Sequence, residues 1–109
     1  MGDGYALVVR FTLRDVSAAR RFDDLVAQTI SGIRGEAGTL AYTVHTPVDE
    51  PLTRLFYELY ADREAFQAHE EQPHTRRFLR AREELLSHVE VFFLNEHHSL
   101  SKRPSTEQS

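Results

Sequence analysis

The sequence contains no cysteine and no tryptophan. Without a thiol there is no disulfide, no thiolate nucleophile, no iron–sulfur cluster and no cysteine-bound zinc. Such a chain suits a reducing compartment, and a cytoplasmic location is expected. A basic surplus is also lacking. Thirteen Lys and Arg stand against 17 Asp and Glu, for a formal net charge of −4, and arginines intermingle with glutamates in HTRRFLRAREELL. Nucleic-acid binders carry a one-sided basic surface, so no nucleic-acid partner is expected. No apolar run approaches the roughly 20 residues of a membrane-spanning helix, so no membrane partner is expected either. The opening MGDGYALVVRF lacks the basic and apolar regions of a secretory signal. Also missing are a G-x-G-x-x-G or Walker cradle for a nucleotide and a G-x-S-x-G elbow for a catalytic serine. What is present is ordinary for one soluble domain: 109 residues, 40% hydrophobic and 28% charged, enough for a single modest core.

Tyr5 to Leu13, rich in β-branched and aromatic residues, reads as a strand. Asp15 or Ser17 can cap the helix that follows, in which Phe22, Leu25, Val26, Ile30 and Ile33 form an apolar stripe at three- and four-residue steps. Gly35 and Gly38 stop it. Thr39 to Thr46 is a second strand, PVDEP a turn, and Leu52 to Ala61 a third strand, forming an antiparallel hairpin. Asp62 caps a short helix, REAFQAHEEQ. Pro73 lacks an N–H and disfavours helix at Gln72, yet it suits the first position of a new helix. That helix, PHTRRFLRAREELL, aligns His74, Phe78, Ala81 and Leu85. His88 to Leu94 is a fourth strand. The order β-α-β-β-α-β, with the second helix split at Pro73, is that of a ferredoxin-like α+β domain with a four-stranded antiparallel sheet. It occupies residues 1–94, and residues 95–109 form a polar tail.

Both faces of that sheet read as apolar. Tyr5, Leu7, Val9, Phe11 and Leu13 oppose Ala6 and Val8. Leu55, Tyr57 and Leu59 oppose Leu52, Phe56 and Tyr60, and Val89, Val91 and Phe93 oppose Phe92 and Leu94. The helices can cover one face only. Burying a Phe or Leu is worth about 1.5–3 kcal/mol, so the other face calls for a second copy, giving a homodimer through the sheet faces. Arg10 would be costly to bury alone and is expected to pair across that dimer with Glu90.

The stretch FYELYADREAFQAHEEQPHTRRF, following GTLAYTVH, resembles the antibiotic biosynthesis monooxygenase family of dimeric α+β barrel proteins. Tyr57-Glu58, Tyr60, Asp62, Ala65-Phe66, His69, Pro73-His74 and Phe78 carry the likeness, which extends over about residues 5 to 94. The resemblance implies a dimeric barrel and a small aromatic substrate. It also implies an activity drawn from several: cofactor-free oxidation of aromatic polyketides or hydroquinones to quinones, haem degradation, or isomerase-like processing of small signalling molecules. The haem-degrading branch fits poorly. Its axial histidine would fall near Leu79 or Arg80 and its tryptophan near His69, leaving His74 as the only substitute ligand. No cofactor is expected.

His69 lies three residues after Phe66, and His74 four before Phe78, so both imidazoles face inward, toward the space between helices and sheet. One of them could take a phenolic proton or hold an oxyanion, with Glu58 as the orienting acid. The aromatic wall would come from Tyr42, Phe56, Tyr57, Tyr60, Phe66 and Phe78. An alternative fits the same residues: a non-catalytic dimeric domain that binds a small ligand or serves assembly, its histidines satisfying orphan backbone groups at the Pro73 break. Isomerase or aldol-type chemistry would use the same histidines. No metal site is expected, because His69 and His74 are spaced by five, not four, with a proline between them, and no third ligand is evident. His97 and His98 in the tail read as solvated, and His45 as an edge residue.

Overall fold

Side-chain alternation in the first strand decides which side of the sheet is dry. In the computed structural model, which describes residues 4–102, strand β1 spans Tyr5–Leu13 and helix α1 Val16–Ile33. They are followed by β2 (Thr39–His45), β3 (Thr53–Tyr60), α2 (Arg63–Glu70), α3 (Pro73–Ala81) and β4 (Leu86–Asn95). The strands form one antiparallel sheet in the order β2-β3-β1-β4. This is the expected ferredoxin-like α+β arrangement. Leu7, Val9, Phe11 and Leu13 are buried beneath the helices. Through the register Val9↔Phe56 and Tyr5↔Tyr60, Phe56 and Tyr60 join them, at 1% and 0% exposure. The Phe11 ring lies 5.1 Å from Phe22 of α1 and 4.7 Å from Phe56, spacings at which aromatic pairs attract beyond their area burial.

The helix starts follow their caps. Asp15 accepts a hydrogen bond from the Ala18 N–H at 2.8 Å, and Asp62 accepts from Ala65 at 2.8 Å, satisfying N–H groups that the first turn leaves unpaired. Pro73 opens α3, and Gln72 before it is extended, as a residue preceding proline prefers. The end of α3 differs from the sequence expectation. The helix stops at Ala81, and a turn closed by the Leu85 N–H on the Arg82 carbonyl (2.9 Å) carries Leu85 into the core. Strand β4 therefore begins at Leu86, two residues earlier than expected.

Glycine matters at two close approaches. A Cβ at Gly32 would meet the His74 ring at 2.5 Å, and one at Gly38 would meet the Ala65 Cβ at 2.5 Å. Gly32 lets the last turn of α1 approach the start of α3, and Gly38 lets the turn after α1 sit against the first turn of α2.

The far side of the sheet has no helices. Its rows, read across β3, β1 and β4, are Leu59–Ala6–Leu94, Tyr57–Val8–Phe92 and Leu55–Arg10–Glu90. Phe92 is 54% exposed. The helical cover on the near side is itself incomplete, contrary to expectation. Val91 and Phe93 of edge strand β4 point to that side and remain exposed. Arg10 is also corrected. It pairs within its own chain, with Glu50 at 3.0 Å and Glu90 at 3.5 Å, because β4 lies directly beside β1. No helix among the described residues is long and apolar enough to cross a membrane.

Candidate functional site

Between the sheet and helices α2 and α3 lies a cavity of about 180 Å³. Leu7, Val9 and Phe11 of β1 form its floor, with Val91 and Phe93 of β4 at one side. Tyr42, Glu58, Phe66, His69 and Phe78 complete the wall, together with Thr29, Glu70, Thr75, Leu79 and Arg82. Five of the residues expected at a site thus come together: Tyr42, Glu58, Phe66, His69 and Phe78. Phe56 and Tyr60 sit in the core behind this wall. Tyr57 does not reach it, because alternation along β3 turns it to the opposite face of the sheet. His45 lies on that opposite face too, exposed, with Nδ1 3.3 Å from the Leu55 carbonyl. His74 lines a second, wider cavity of about 550 Å³ beneath the turn after α1. His69 is the one histidine common to both cavities.

Glu36 joins the two imidazoles, and sequence reasoning missed it. It sits in the turn between α1 and β2, with its side chain nearly buried. His69 Nδ1 lies 2.8 Å from Glu36 Oε1, and His74 Nε2 makes a short contact with Oε2. The Thr39 hydroxyl donates to Oε1 at 2.6 Å. Burial alone would raise the Glu36 pKa, but the hydrogen bonds from Thr39, His74 and His69 outweigh it and hold the carboxyl below its ordinary value. An ionised Glu36 can only accept, so His69 donates from Nδ1 and His74 from Nε2. In a neutral imidazole so oriented, the second nitrogen, Nε2, carries the lone pair. Glu36 is also a third potential donor beside the two histidines, which the sequence did not show. The facing atoms of Glu36, His69 and His74 lie within 4.8 Å of one another.

Glu58 occupies a different setting. It was expected to orient a histidine, but its partner is Tyr60, whose hydroxyl donates to Oε1 at 2.6 Å. Burial lifts the Glu58 pKa to about 7. The Tyr60 hydrogen bond and Arg82 oppose that rise, and the neighbouring carboxylates Glu70 and Glu36 add to it. Burial and the same carboxyl push the Tyr60 phenol upward. A carboxyl raised in the folded state is a stability liability at high pH. Below the unfolded value of about 4.5 both states are protonated and nothing is lost. As pH rises to about 7 the unfolded chain ionises first, and above that the full penalty applies, about 3 kcal/mol. Glu58→Gln is therefore expected to raise the melting temperature at pH 8 and to leave it nearly unchanged at pH 4, as thermal melts of both proteins would show.

Residues 5–81 match the protein family described as antibiotic biosynthesis monooxygenase. No curated protein matches the chain. Among solved structures, Rv0793 from Mycobacterium tuberculosis is 26% identical with a TM-score of 0.83, covering 90% of this chain and 99% of that one. PA3566 from Pseudomonas aeruginosa is 24% identical with a TM-score of 0.80, covering 90% and 98%. SnoaB, a cofactor-independent oxygenase from Streptomyces nogalater, is 21% identical with a TM-score of 0.78, covering 92% and 99%. At these two lower identities the likeness is one of fold.

Proposed function

Because the chain belongs to the antibiotic biosynthesis monooxygenase family, we propose that it is a cofactor-independent monooxygenase converting a small phenol to a quinone with dioxygen. The observation that carries this reading is His69: its Nδ1 is tied to Glu36, and its ring forms part of the wall of a mostly apolar cavity. A base in that position draws the phenolic proton. The resulting anion is electron-rich enough to reduce dioxygen, and a carbon–oxygen bond forms at the free para carbon. Loss of water from the peroxide then leaves the second carbonyl. For a two-ring phenol the balance is naphthol plus dioxygen to naphthoquinone plus water, with the substrate supplying all the electrons. Glu58, with its pKa near neutrality, can deliver a proton to the departing oxygen. The apolar wall keeps water from the anion.

Size narrows the substrate class. A cavity of about 150 Å³ accommodates benzene, so about 180 Å³ suits one or two fused rings better than three. The reading includes a homodimer, in which the bare sheet faces of two copies cover one another. The domain proper then runs to Asn95, the last residue of β4 and one beyond the boundary expected from the sequence, with the tail outside it.

The test is to mix the protein with 1-naphthol under air and to follow oxygen uptake and quinone absorbance together. Stoichiometric consumption of one dioxygen per quinone is expected, with anthrone, a three-ring substrate, turned over more slowly. Saturable binding without oxygen uptake would instead support a non-catalytic ligand-binding domain.

A further inference from the structure

Glu36, His69 and His74 come from three separate elements, the turn after α1, the end of α2 and the start of α3, and their donor atoms converge on one point. We propose that these three side chains form a binding site for a first-row divalent transition metal ion such as Zn2+. Two imidazoles and one carboxylate are a donor set that zinc accepts, with a remaining position open to water. Ligands about 2.0–2.1 Å from one ion are at most about 4.2 Å apart. The donors here lie within 4.8 Å of one another, so closure requires only small side-chain rotations.

The surroundings suit an ion. The Thr39 hydroxyl at 2.6 Å fixes the carboxylate from outside, as supporting hydrogen bonds do for metal ligands. Gly32, where a Cβ would strike the His74 ring, leaves room for that ring to face Glu36. The wider cavity beside Glu36 and His74, lined by Gly32, Gly35 and Gly38, gives an ion a path in and space for its water. The spacing of His69 and His74 along the chain carried no such signal. It is the fold that brings Glu36 between them.

This site does not depend on the oxygenase reading, but it bears on it. An ion on His69 Nδ1 displaces the proton there, and the ring proton must then reside on Nε2. The lone pair that would serve as base is lost, so the ion acts as an inhibitor rather than a cofactor.

The experiment uses the full chain, stripped with a chelator. Zn2+ is titrated by calorimetry, and Co2+ is followed by its visible absorption. One ion per chain is expected, with affinity lowered at least tenfold in Glu36→Gln and in His74→Ala and unchanged in the tail variant His97→Ala/His98→Ala. In the unaltered protein, the imidazole NMR signals of His69 and His74 should shift on adding Zn2+, which keeps the test valid if a variant folds poorly. Absence of one-to-one binding would overturn the proposal. So would binding that survives Glu36→Gln and His74→Ala but disappears with the tail histidines, or Zn2+ that leaves the His69 and His74 signals unmoved.

Discussion

In the proposed homodimer, Phe92→Asp is expected to leave only monomer at micromolar concentration. Phe92 lies in the row Tyr57–Val8–Phe92 on the helix-free face, and it is 54% exposed on one chain. In a two-fold dimer the substitution appears twice. Each copy gives up about 1–1.5 kcal/mol of apolar burial, since the ring is already half-buried on one chain, and each places a carboxylate in an apolar row that the partner sheet would cover, where its desolvation costs more still. Together these losses exceed about 4 kcal/mol, which is more than a thousandfold in the association constant. The fold of each subunit should persist, because Phe92 contributes nothing to the core beneath the helices. Sedimentation velocity checks both points: a dimer for the unaltered protein and a compact monomer for the variant. A monomeric unaltered protein would remove the basis for pairing the sheets.

The second large effect is on turnover. His69→Ala removes the base at the wall and should lower oxygen consumption by about 10²–10⁴-fold. Substrate binding should weaken much less, because the apolar residues of the cavity remain. The readout separates chemistry from folding when kcat and KM are measured independently and the variant's melting temperature is compared. His74→Ala should cost less than His69→Ala, since His74 opens on the neighbouring cavity and acts on His69 only through Glu36. Equal losses in the two variants would mean that the carboxylate and both imidazoles act as one unit.

Most of the architecture was legible because it rests on local signals. Asp15 and Asp62 announce the helix starts, the α1 stripe from Phe22 to Ile33 shows the buried side, and Pro73 marks the bend where both histidines turn inward. The end of α3 was less visible. RAREELL suits a helix, but the tertiary need to bury Leu85 and start β4 at Leu86 overrides that propensity. Arg10 is expected from the sequence to pair with Glu90 of a second subunit, although its partners are Glu50 of the β2–β3 turn and Glu90 on the adjacent strand of its own chain. That pairing depends on sheet order, which no local pattern states. Tyr57 could have been placed correctly, since strict alternation with Phe56 already sends it to the other face. Glu36 was hidden for a different reason. An acidic residue in a GEAG turn looks like a solvated charge, and only the close approaches at Gly32 and Gly38 turn it inward. Small residues on both sides of a turn acid, next to a helix end, are the one sequence signal that could have raised it.

In the proposed reaction, His69, oriented by Glu36, ionises a phenol inside the apolar cavity. Anaerobic mixing of 1-naphthol with the metal-free protein tests it without any oxygen chemistry. The expected result is the red-shifted absorption of bound naphtholate at a pH where free naphthol stays neutral, lost in His69→Ala and replaced by quinone absorption when air is admitted. Bound naphthol that keeps the spectrum of its neutral form in the unaltered protein would contradict it.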